Sequence, residues 1–206
     1  MQRNKTNLAV YDNSWYQPGS TLKRFIWLII SGLFFEVFIP FPSKLKIIFL
    51  RLFGAKVGKG TVIKPFVKIK YPWFLEIGEH VWIGEHVWID NLVRVSIGSN
   101  ACLSQGCLLL TGNHDFTKPT FDLIAKPITL EEGVWIGAKA TVCSGVTCYS
   151  HSVLAVGSVL TKDMTPYQIS AQPLNTLTKN KFMNPLLIDF KTPFDTAPFD
   201  KIKTEH

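Results

Sequence analysis

A repeat of six residues runs through more than half of this chain. An aliphatic residue followed by a small or polar residue recurs every six positions, as at Val57, Ile63 and Ile69. The interval from Ile69 to Ile77 is eight residues, and the same longer interval recurs one turn later, from Ile89 to Ile97. A repeat of three short strands per turn, with two extra residues at one corner, predicts a parallel β-solenoid of triangular cross-section.

The aliphatic positions define the predicted core of this solenoid. We expect each of them to point inward and to stack on its equivalent one turn away. The fifth place of the hexad is small or β-branched, which suits the crowded interior beside a corner. Glycine often occupies the second place, and we expect it to form the corner because it accepts positive φ. The predicted inward residues are Val57, Ile63, Ile69, Ile77, Ile83, Ile89, Ile97, Leu103, Leu109, Ile128, Ile136, Val142, Cys148, Leu154 and Leu160.

The repeat divides the chain into three predicted parts. Residues 1–56 precede the repeat and residues 57–172 contain it. Residues 173–206 lack the repeat, and their sequence predicts an extended tail with phenylalanine anchors. Hydrophobic residues make up 47% of the chain, which excludes disorder as its general state. Residues 1–56 hold +6 of the net charge of +7, so the basic character belongs to this part.

The sequence of the N-terminal part predicts two helices, from about Leu22 to Ile39 and from about Ser43 to Phe53. Its longest apolar run has about 15 residues, whereas a bilayer span needs about 20, so we expect no transmembrane helix. Two roles remain open: the helices could cover the open end of the solenoid, or they could lie on an anionic membrane surface. A cytoplasmic protein, in the second case peripheral on the inner membrane face, is expected.

Four cysteines form two C-x4-C pairs inside apolar runs. The histidine-rich flanks of a zinc site are lacking, so we interpret Cys102, Cys107, Cys143 and Cys148 as reduced thiols that fill the core.

The repeat breaks between Leu109 and Ile128, which are separated by 19 residues where eight would keep the corner. A loop of about 11 extra residues, within about 111–127, must therefore leave the solenoid. It carries Asn113, His114 and Asp115, and loops on rigid scaffolds are where function concentrates.

Several stretches resemble the hexapeptide-repeat acetyltransferases, in particular the colanic-acid-type branch that modifies sugars of surface polysaccharides. The resemblance implies a left-handed parallel β-helix, a homotrimer with sites at subunit boundaries, acetyl coenzyme A as acyl donor and a sugar hydroxyl as acceptor. It implies no metal and no nucleic-acid partner. The stretches are Ser104-Gln105-Gly106, Thr111-Gly112-Asn113-His114-Asp115, Phe121-Asp122-Leu123-Ile124, Lys126-Pro127-Ile128, Gly133-Val134-Trp135-Ile136-Gly137-Ala138 and Val156-Gly157-Ser158-Val159-Leu160-Thr161-Lys162-Asp163.

The resemblance also implies roles for individual residues. His114 would be the general base, because a neutral imidazole can take the proton of a sugar hydroxyl as it attacks the thioester. The backbone N–H of Ala138 would stabilise the oxyanion. Asn113 and Asp115 would lie beside the substrate, and Asn91 would lie near the acceptor sugar. Taken alone, Asn91 also fits a turn residue.

Further residues complete the candidate site. Asp12 is a weaker candidate for orienting His114, with a cap or turn as its ordinary role. After Gln172 the sequence departs from the family pattern, and Lys179 or Lys181 could replace the usual phosphate contacts. The residues that the resemblance places against acetyl coenzyme A are Trp135, Gly137, Ala138, Val156, Gly157, Thr161 and Lys162.

Two other functions remain as alternatives. A non-catalytic hexapeptide scaffold would need neither His114 nor an acyl donor. A zinc lyase of the γ-carbonic anhydrase type would use histidines, and His80 and His86 occupy the fourth place of consecutive hexads. Residues six apart lie on adjacent faces and do not converge on one metal, so we interpret these two, and His151 in the same phase, as surface residues.

Overall fold

The structure is a computed structural model, and it describes residues 5–171. The prediction of a mainly β parallel solenoid is confirmed. The strands are β1 (Lys56–Val57), β2 (Val62–Ile63), β3 (Lys68–Ile69), β4 (Leu75–Ile77), β5 (Trp82–Ile83), β6 (Trp88–Asp90), β7 (Val95–Ile97), β8 (Cys102–Leu103), β9 (Leu108–Leu110), β10 (Gly112–His114), β11 (Leu123–Ala125), β12 (Ile128–Leu130), β13 (Trp135–Ile136), β14 (Thr141–Val142), β15 (Thr147–Cys148), β16 (Val153–Leu154), β17 (Val159–Leu160) and β18 (Ile169–Ser170).

Three parallel sheets form the faces of a triangular prism. Sheet A has the order β1-β4-β7-β12-β15, sheet B has β2-β5-β8-β13-β16-β18, and sheet C has β3-β6-β9-β14-β17. Successive strands of the chain lie in successive sheets, so each turn visits all three faces. The inward aliphatics stack in register, as predicted: Val57 pairs with Ile77, and Ile77 pairs with Ile97.

The repeat resumes at Leu130, and the prediction that it resumes at Ile128 was wrong. Leu130 pairs with Ile97, whereas Ile128 pairs with Val95, two residues earlier in the same strand. Strands of sheet A between β4 and β12 are three residues long, so each places two aliphatics inside. The interval from Leu109 to Leu130 is 21 residues, and the loop is therefore about 13 residues longer than a regular corner.

The second-place glycines serve a different purpose from the predicted one. Positive φ falls on the fourth place of the hexad, at residues such as His80, Asn100 and Gly106. A Cβ on Gly78 would lie 2.5 Å from the backbone nitrogen of Ser99, and one on Gly137 would lie 2.6 Å from that of Val156. These glycines are required because the backbone of the next turn approaches too closely for any side chain.

Most of the small or β-branched fifth-place residues are buried, as predicted, and Val93, in the corner between sheets C and A, is half-buried. The buried ones are Thr61, Val67, Val81, Val87, Ala101, Cys107, Ala140, Val146, Ser152 and Ser158. Two of the four cysteines fill the core, as predicted. Cys107 and Cys148 are completely buried, and burial raises the pKa of each thiol to about 12. Cys102 and Cys143 are half-buried instead, because Cys102 lies at an outward position of sheet B and Cys143 in the second place of a hexad.

Two α-helices precede the prism, α1 (Thr21–Phe34) and α2 (Ser43–Leu52), with a short 3-10 helix at Leu8–Val10 before them and another at Pro72–Phe74. Helix α1 ends five residues before the predicted Ile39. The backbone N–H groups of Phe35 and Glu36 both donate to the Ser31 carbonyl, and the Ser31 hydroxyl donates to the Glu36 carboxylate. This arrangement ends the helix and buries Phe35 against Trp27.

The helices supply hydrogen bonds to the three edge strands at the N-terminal end of the prism. Arg51 donates to the carbonyl of Val57 in β1. Lys46 is completely buried and donates to the carbonyls of Ile63 and Lys64 at β2. The Trp27 indole donates to the Ile69 carbonyl at β3. Backbone carbonyls of an edge strand are costly to bury without a hydrogen-bond donor, and these side chains supply the donors.

The face of α2 that is buried against the prism is not the apolar face of its sequence. Leu45, Ile48, Phe49 and Leu52 share a helical face in the sequence, yet Ile48 and Leu52 are exposed. The face against the prism consists of Lys46, Ile47 and Leu50. Buried hydrogen bonds to the edge strands therefore set the rotation of this helix. The predicted C-terminal tail, with Lys179 and Lys181, lies outside the described residues.

Candidate active site

The inserted loop forms an antiparallel hairpin, β10–β11, that leaves the prism at the corner between sheets C and A. In this hairpin Gly112 pairs with Ala125, and His114 pairs with Leu123. The turn is held by polar contacts: Asp115 accepts from the backbone N–H and hydroxyl of Thr117, and Lys118 forms an ion pair with Asp122 at 2.9 Å. The hairpin also reaches the N-terminal segment, because the Asn7 N–H donates to the Pro119 carbonyl.

His114 is fixed at the end of β10 by its own hairpin. Its Nδ1 lies 2.9 Å from the Phe121 carbonyl oxygen, and its ring stacks on the Phe121 ring at 4.3 Å between centroids. Tyr11 contacts the imidazole as well, with centroids 5.7 Å apart. A carbonyl can only accept, so the neutral imidazole that makes this contact carries its proton on Nδ1 and presents a lone pair on Nε2. This tautomer is the one that a general base requires.

The residues on either side of His114 differ in what they contact. Asn113 lines the cavity described below, and its side-chain oxygen accepts from the backbone N–H of His114. Asp115 faces its own turn, and the hydrogen bonds from Thr117 lower the pKa of its carboxyl. Asp115 therefore shapes the hairpin, and contact with substrate stays a prediction for it.

A cavity of about 880 Å³ lies beside His114, between the prism and the N-terminal segment. The prism contributes Lys70, Asp90 and Leu92 from the corner between sheets C and A, and the hairpin contributes Gly112 to His114. The opposite wall consists of Tyr11, Asn13, Tyr16, Gln17, Pro18, Gly19, Ser20, Thr21 and Arg24. This volume is typical of small-molecule sites.

Asn91 stands behind the wall of this cavity. Its side chain is completely buried, and its Oδ1 accepts from the backbone N–H groups of Lys70 and Tyr71. Its Nδ2 donates to the Tyr71 carbonyl. Asn91 thus joins two successive turns at this corner, so any influence on the acceptor would pass through its neighbours Asp90 and Leu92.

Asp12 does not orient His114 in this structure. Its carboxylate accepts from the backbone N–H and the hydroxyl of Ser14, and these bonds lower the pKa of the carboxyl. The Phe121 carbonyl fills the orienting role instead. Asp12 is a turn residue of the N-terminal segment, and its two sequence neighbours, Tyr11 and Asn13, line the cavity.

Ala138 lies at a different corner from His114. It follows β13, between sheets B and C, and its carbonyl accepts from the Gly157 N–H of the next turn at 2.9 Å. Within residues 5–171, no acceptor pairs with the Ala138 N–H. One face of the prism separates this amide from the hairpin, a distance of roughly 15 Å because a face holds about five extended residues.

The other predicted coenzyme residues surround these two corners. Val156 and Gly157 lie beside Ala138 and are exposed. The Trp135 ring is half exposed on sheet B, and its indole donates to the Ser104 hydroxyl. Thr161 and Lys162 follow β17, at the corner between sheets C and A, and both are exposed.

Comparison with known proteins gives the family. No protein-family model matches the chain. The chain is 34% identical over 149 residues to a putative colanic acid biosynthesis acetyltransferase of Escherichia coli, a match that covers 72% of this chain and 82% of the relative. The chain belongs to the hexapeptide-repeat acetyltransferases. A galactoside O-acetyltransferase of Escherichia coli is 30% identical over 120 residues, which is 57% of this chain and 59% of that protein.

Two solved structures have the same fold as this acetyltransferase. A hexapeptide-repeat acetyltransferase of Vibrio cholerae, complexed with acetyl coenzyme A, has a TM-score of 0.67 at 21% identity, covering 79% of this chain and 93% of that one. A galactoside acetyltransferase in complex with coenzyme A has a TM-score of 0.66 at 24% identity, covering 73% and 76%. The predicted family and enzyme class are confirmed by these comparisons.

The three corner histidines pack against adjacent turns, two of them on aromatic rings. The ring of His86 lies parallel to that of Phe66 at 4.6 Å, and the ring of His151 lies on that of Tyr167 at 5.2 Å. His80 packs over Gly60 of the preceding turn. In the described part of the chain, no group of three potential metal ligands exists.

Sequence reasoning missed several residues around His114. Phe121 was noted only within a stretch that resembles the family, yet its carbonyl orients the imidazole. Tyr16, Arg24 and Lys70, which line the cavity, were given no role. The repeat places Lys70 and Asp90 one turn apart at the same corner, which was an available signal. No sequence pattern joins Tyr16 or Arg24 to a loop about 90 residues later.

Proposed function

We propose that this acetyltransferase moves an acetyl group from acetyl coenzyme A to a sugar hydroxyl of a surface polysaccharide or its precursor. His114 carries the proposal, because its Nδ1 is held by the Phe121 carbonyl and its ring borders a cavity large enough for a sugar. The relatives named as colanic acid and galactoside acetyltransferases support sugar as the acceptor class.

The proposed reaction is a direct transfer. Nε2 of His114 takes the proton of the sugar hydroxyl while the oxygen attacks the thioester carbonyl. The tetrahedral intermediate collapses, the C–S bond breaks, and the imidazolium returns the proton to the leaving thiolate. No bond to the enzyme forms. The unpaired N–H of Ala138 is the proposed donor to the oxyanion.

We propose a homotrimer. Ala138 and His114 occupy different corners of one prism, so a site that contains both groups would take them from two copies of the chain. The outward residues of sheet A are mostly polar, namely Lys56, Glu76, Ser96, Thr129 and Thr147. The outward residues of sheet B are Val62, Trp82, Cys102, Trp135, Val153 and Ile169. Those of sheet C are Lys68, Trp88, Leu108, Thr141 and Val159, and its apolar patch consists of Trp88, Leu108 and Val159.

Two different apolar faces suit a cyclic assembly, in which each copy uses one patch toward each neighbour. A copy that docks its Ala138 corner against sheet C of a neighbouring copy brings its Ala138 N–H to the edge of that sheet, where the neighbour's hairpin leaves the prism. Sedimentation of the purified chain checks the assembly, and Trp88→Glu, which places a charge on sheet C, should yield monomers.

The test of the reaction is acetyl transfer by a His114→Ala variant. Loss of the general base should reduce turnover by about 10²- to 10⁴-fold, with the affinity for acetyl coenzyme A little changed. The control is His80→Asn, a histidine at another corner, where asparagine accepts the positive φ. A loss of less than about threefold in His114→Ala would refute the base. A wild-type chain that transfers acetyl to no sugar would favour the scaffold alternative.

We also propose that α1 contacts a membrane surface. No helix among residues 5–171 is long and apolar enough to cross a bilayer. Helix α1 nevertheless exposes large apolar side chains at helical spacing: Leu22, Phe25, Ile26, Leu28, Ile29 and Leu33 are 41–68% exposed. Lys23 at its start and Lys44 on α2 supply positive charge, which anionic headgroups attract.

Cosedimentation with anionic liposomes at low and high salt tests the membrane contact. The variant should be Phe25→Ser with Leu28→Ser, because Lys46 and Arg51 hold the edge strands and cannot be neutralised without disturbing the prism. The wild type should pellet at low salt and the variant should not. Equal pelleting of both would contradict the contact.

A further inference from the structure

The cavity beside His114 contains a cationic group that lacks a counterion. Arg24, on the first turn of α1, is half-buried in the wall. Its Nη2 donates to the Thr21 hydroxyl at 3.1 Å, and its Nε is buried with no hydrogen-bond partner. Within residues 5–171, no carboxylate forms an ion pair with it. A buried Nε–H without an acceptor is costly, and the charge of the half-buried guanidinium has no ion-pair partner in the described residues, so the group is suited to pair with a ligand.

The other charges of the cavity do not supply that partner. Lys70 and Asp90 pair with each other at 2.8 Å, and the Asp90 side chain is only 10% exposed. These two charges neutralise each other across the corner between sheets C and A. The Tyr16 phenol also lies on the wall of the cavity. Burial raises the pKa of Tyr16, and its hydroxyl donates to the Leu92 carbonyl, so it stays neutral.

The start of α1 adds to the positive potential. Ser20 is the N-cap and accepts from the Lys23 N–H, and no acidic residue occupies the first turn. Helix N-termini carry a partial positive charge that an acidic residue commonly offsets. Here the first turn holds Lys23 and Arg24 instead. Lys23 turns away from the cavity onto the Trp73 ring, at 4.4 Å, which leaves Arg24 and the helix end as the cationic wall.

We infer that the acceptor carries an anionic group, a carboxylate or a phosphate, that pairs with Arg24 while a hydroxyl of the same molecule reaches His114. This inference rests on the proposed sugar acetyl transfer and narrows its acceptor to acidic glycans. The guanidinium fork matches the two oxygens of a carboxylate or phosphate, and the walls of the cavity exclude enough water to strengthen the pair. The Lys70–Asp90 pair then offers donors and acceptors for sugar hydroxyls.

Three probes distinguish the source of the charge: methyl glucuronide carries a carboxylate, glucose 1-phosphate carries a phosphate, and methyl glucoside is neutral. The measured quantity is the ratio of kcat/KM for each charged probe to that for the neutral one. The wild type should prefer a charged probe. Arg24→Gln should reduce that preference by roughly 10- to 100-fold, because a charge-assisted bidentate bond is lost. Arg24→Lys, which keeps the charge and loses the fork, should give an intermediate ratio.

The matched control is Lys44→Gln, which removes one positive charge from an exposed site on α2 outside the cavity. It should leave the preference as it is in the wild type, whereas a general effect of net charge would lower it equally. The three probes are also titrated against wild type and Arg24→Gln by NMR, which measures binding without turnover. A wild type that binds the charged and neutral probes equally overturns the inference.

The two proposals fail in different ways. If no probe is acetylated but the charged probes bind better and lose this advantage in Arg24→Gln, the sugar acetyl transfer fails with these acceptors and the anion site stands. If methyl glucoside is acetylated as well as the charged probes and Arg24→Gln does not alter the ratio, the transfer stands and the anion site is refuted.

Discussion

The prism and the hairpin that carries His114 are held in place by different interactions. Inside the prism, an aliphatic residue such as Ile83 is completely buried and pairs in register with its equivalents on both neighbouring turns. In the hairpin, every residue of β10 and β11 is half-buried or exposed. Its shape depends on polar contacts such as that between Asp115 and Thr117, and on stacking between His114 and Phe121. Repetition thus stabilises the scaffold, and local contacts position the chemistry.

The largest effect should come from breaking the interior of the prism. Ile83→Asp places a carboxylate in the completely buried column of sheet B, with no partner for its charge, and should prevent folding. Circular dichroism and sedimentation of the expressed chain provide the measurement. Thr129→Asp, at an outward position of sheet A, is the control and should fold. A cooperative, folded Ile83→Asp protein would show that the assignment of the inward column is wrong.

A smaller effect should follow from a change at the boundary between the two regions. Asn91→Ala removes three hydrogen bonds to the backbone of Lys70 and Tyr71 and leaves these groups without partners. The free energy of unfolding should fall by about 2–4 kcal/mol, as measured by urea denaturation. Gln105→Ala removes an exposed amide and should cost less than about 0.5 kcal/mol. If Asn91→Ala instead raised the acceptor KM with stability intact, direct contact with the acceptor would be the better interpretation.

The smallest effect should come from a change confined to the hairpin. Phe121→Asn removes the ring that stacks on His114 while asparagine still accepts the positive φ of this position, so the carbonyl remains available to Nδ1. Turnover should fall roughly 10-fold, because the imidazole is less well oriented. The KM for acetyl coenzyme A should not change. Phe116→Asn, at an exposed position of the same loop, should retain wild-type turnover; an equal loss there would refute the orienting role of Phe121.

Much of the prism could be predicted, and part of the reasoning was wrong in an instructive way. The six-residue period identified the inward aliphatics because each must be buried in the same manner on every turn. The same period did not reveal why glycine recurs in the second place. A close approach between backbones of adjacent turns excludes a Cβ there, and such an approach depends on the spacing of turns in three dimensions. Likewise, the resumption at Leu130 depends on which aliphatic of a three-residue strand pairs with Ile97.

The candidate site could be predicted only in outline. The break in the repeat drew attention to His114, and the family resemblance gave it a role. The group that orients it could not be predicted, because a backbone carbonyl such as that of Phe121 leaves no trace in the sequence. The suggestion of Asp12 was wrong as an orienting residue for the same reason: a carboxylate is visible in a sequence, and its hydrogen bonds to Ser14 are not.

The sequence by itself determined the solenoid, the position of its interruption and the family, because a periodic pattern of burial repeats the same local physics on each turn. Only the tertiary structure decided how α2 is rotated, where buried Lys46 meets the carbonyls of β2 in preference to an apolar contact. It also decided that Arg24 and His114 share one cavity. Residues so far apart in the chain meet only because the prism is rigid enough to hold the N-terminal segment against the hairpin, and no local pattern encodes that encounter.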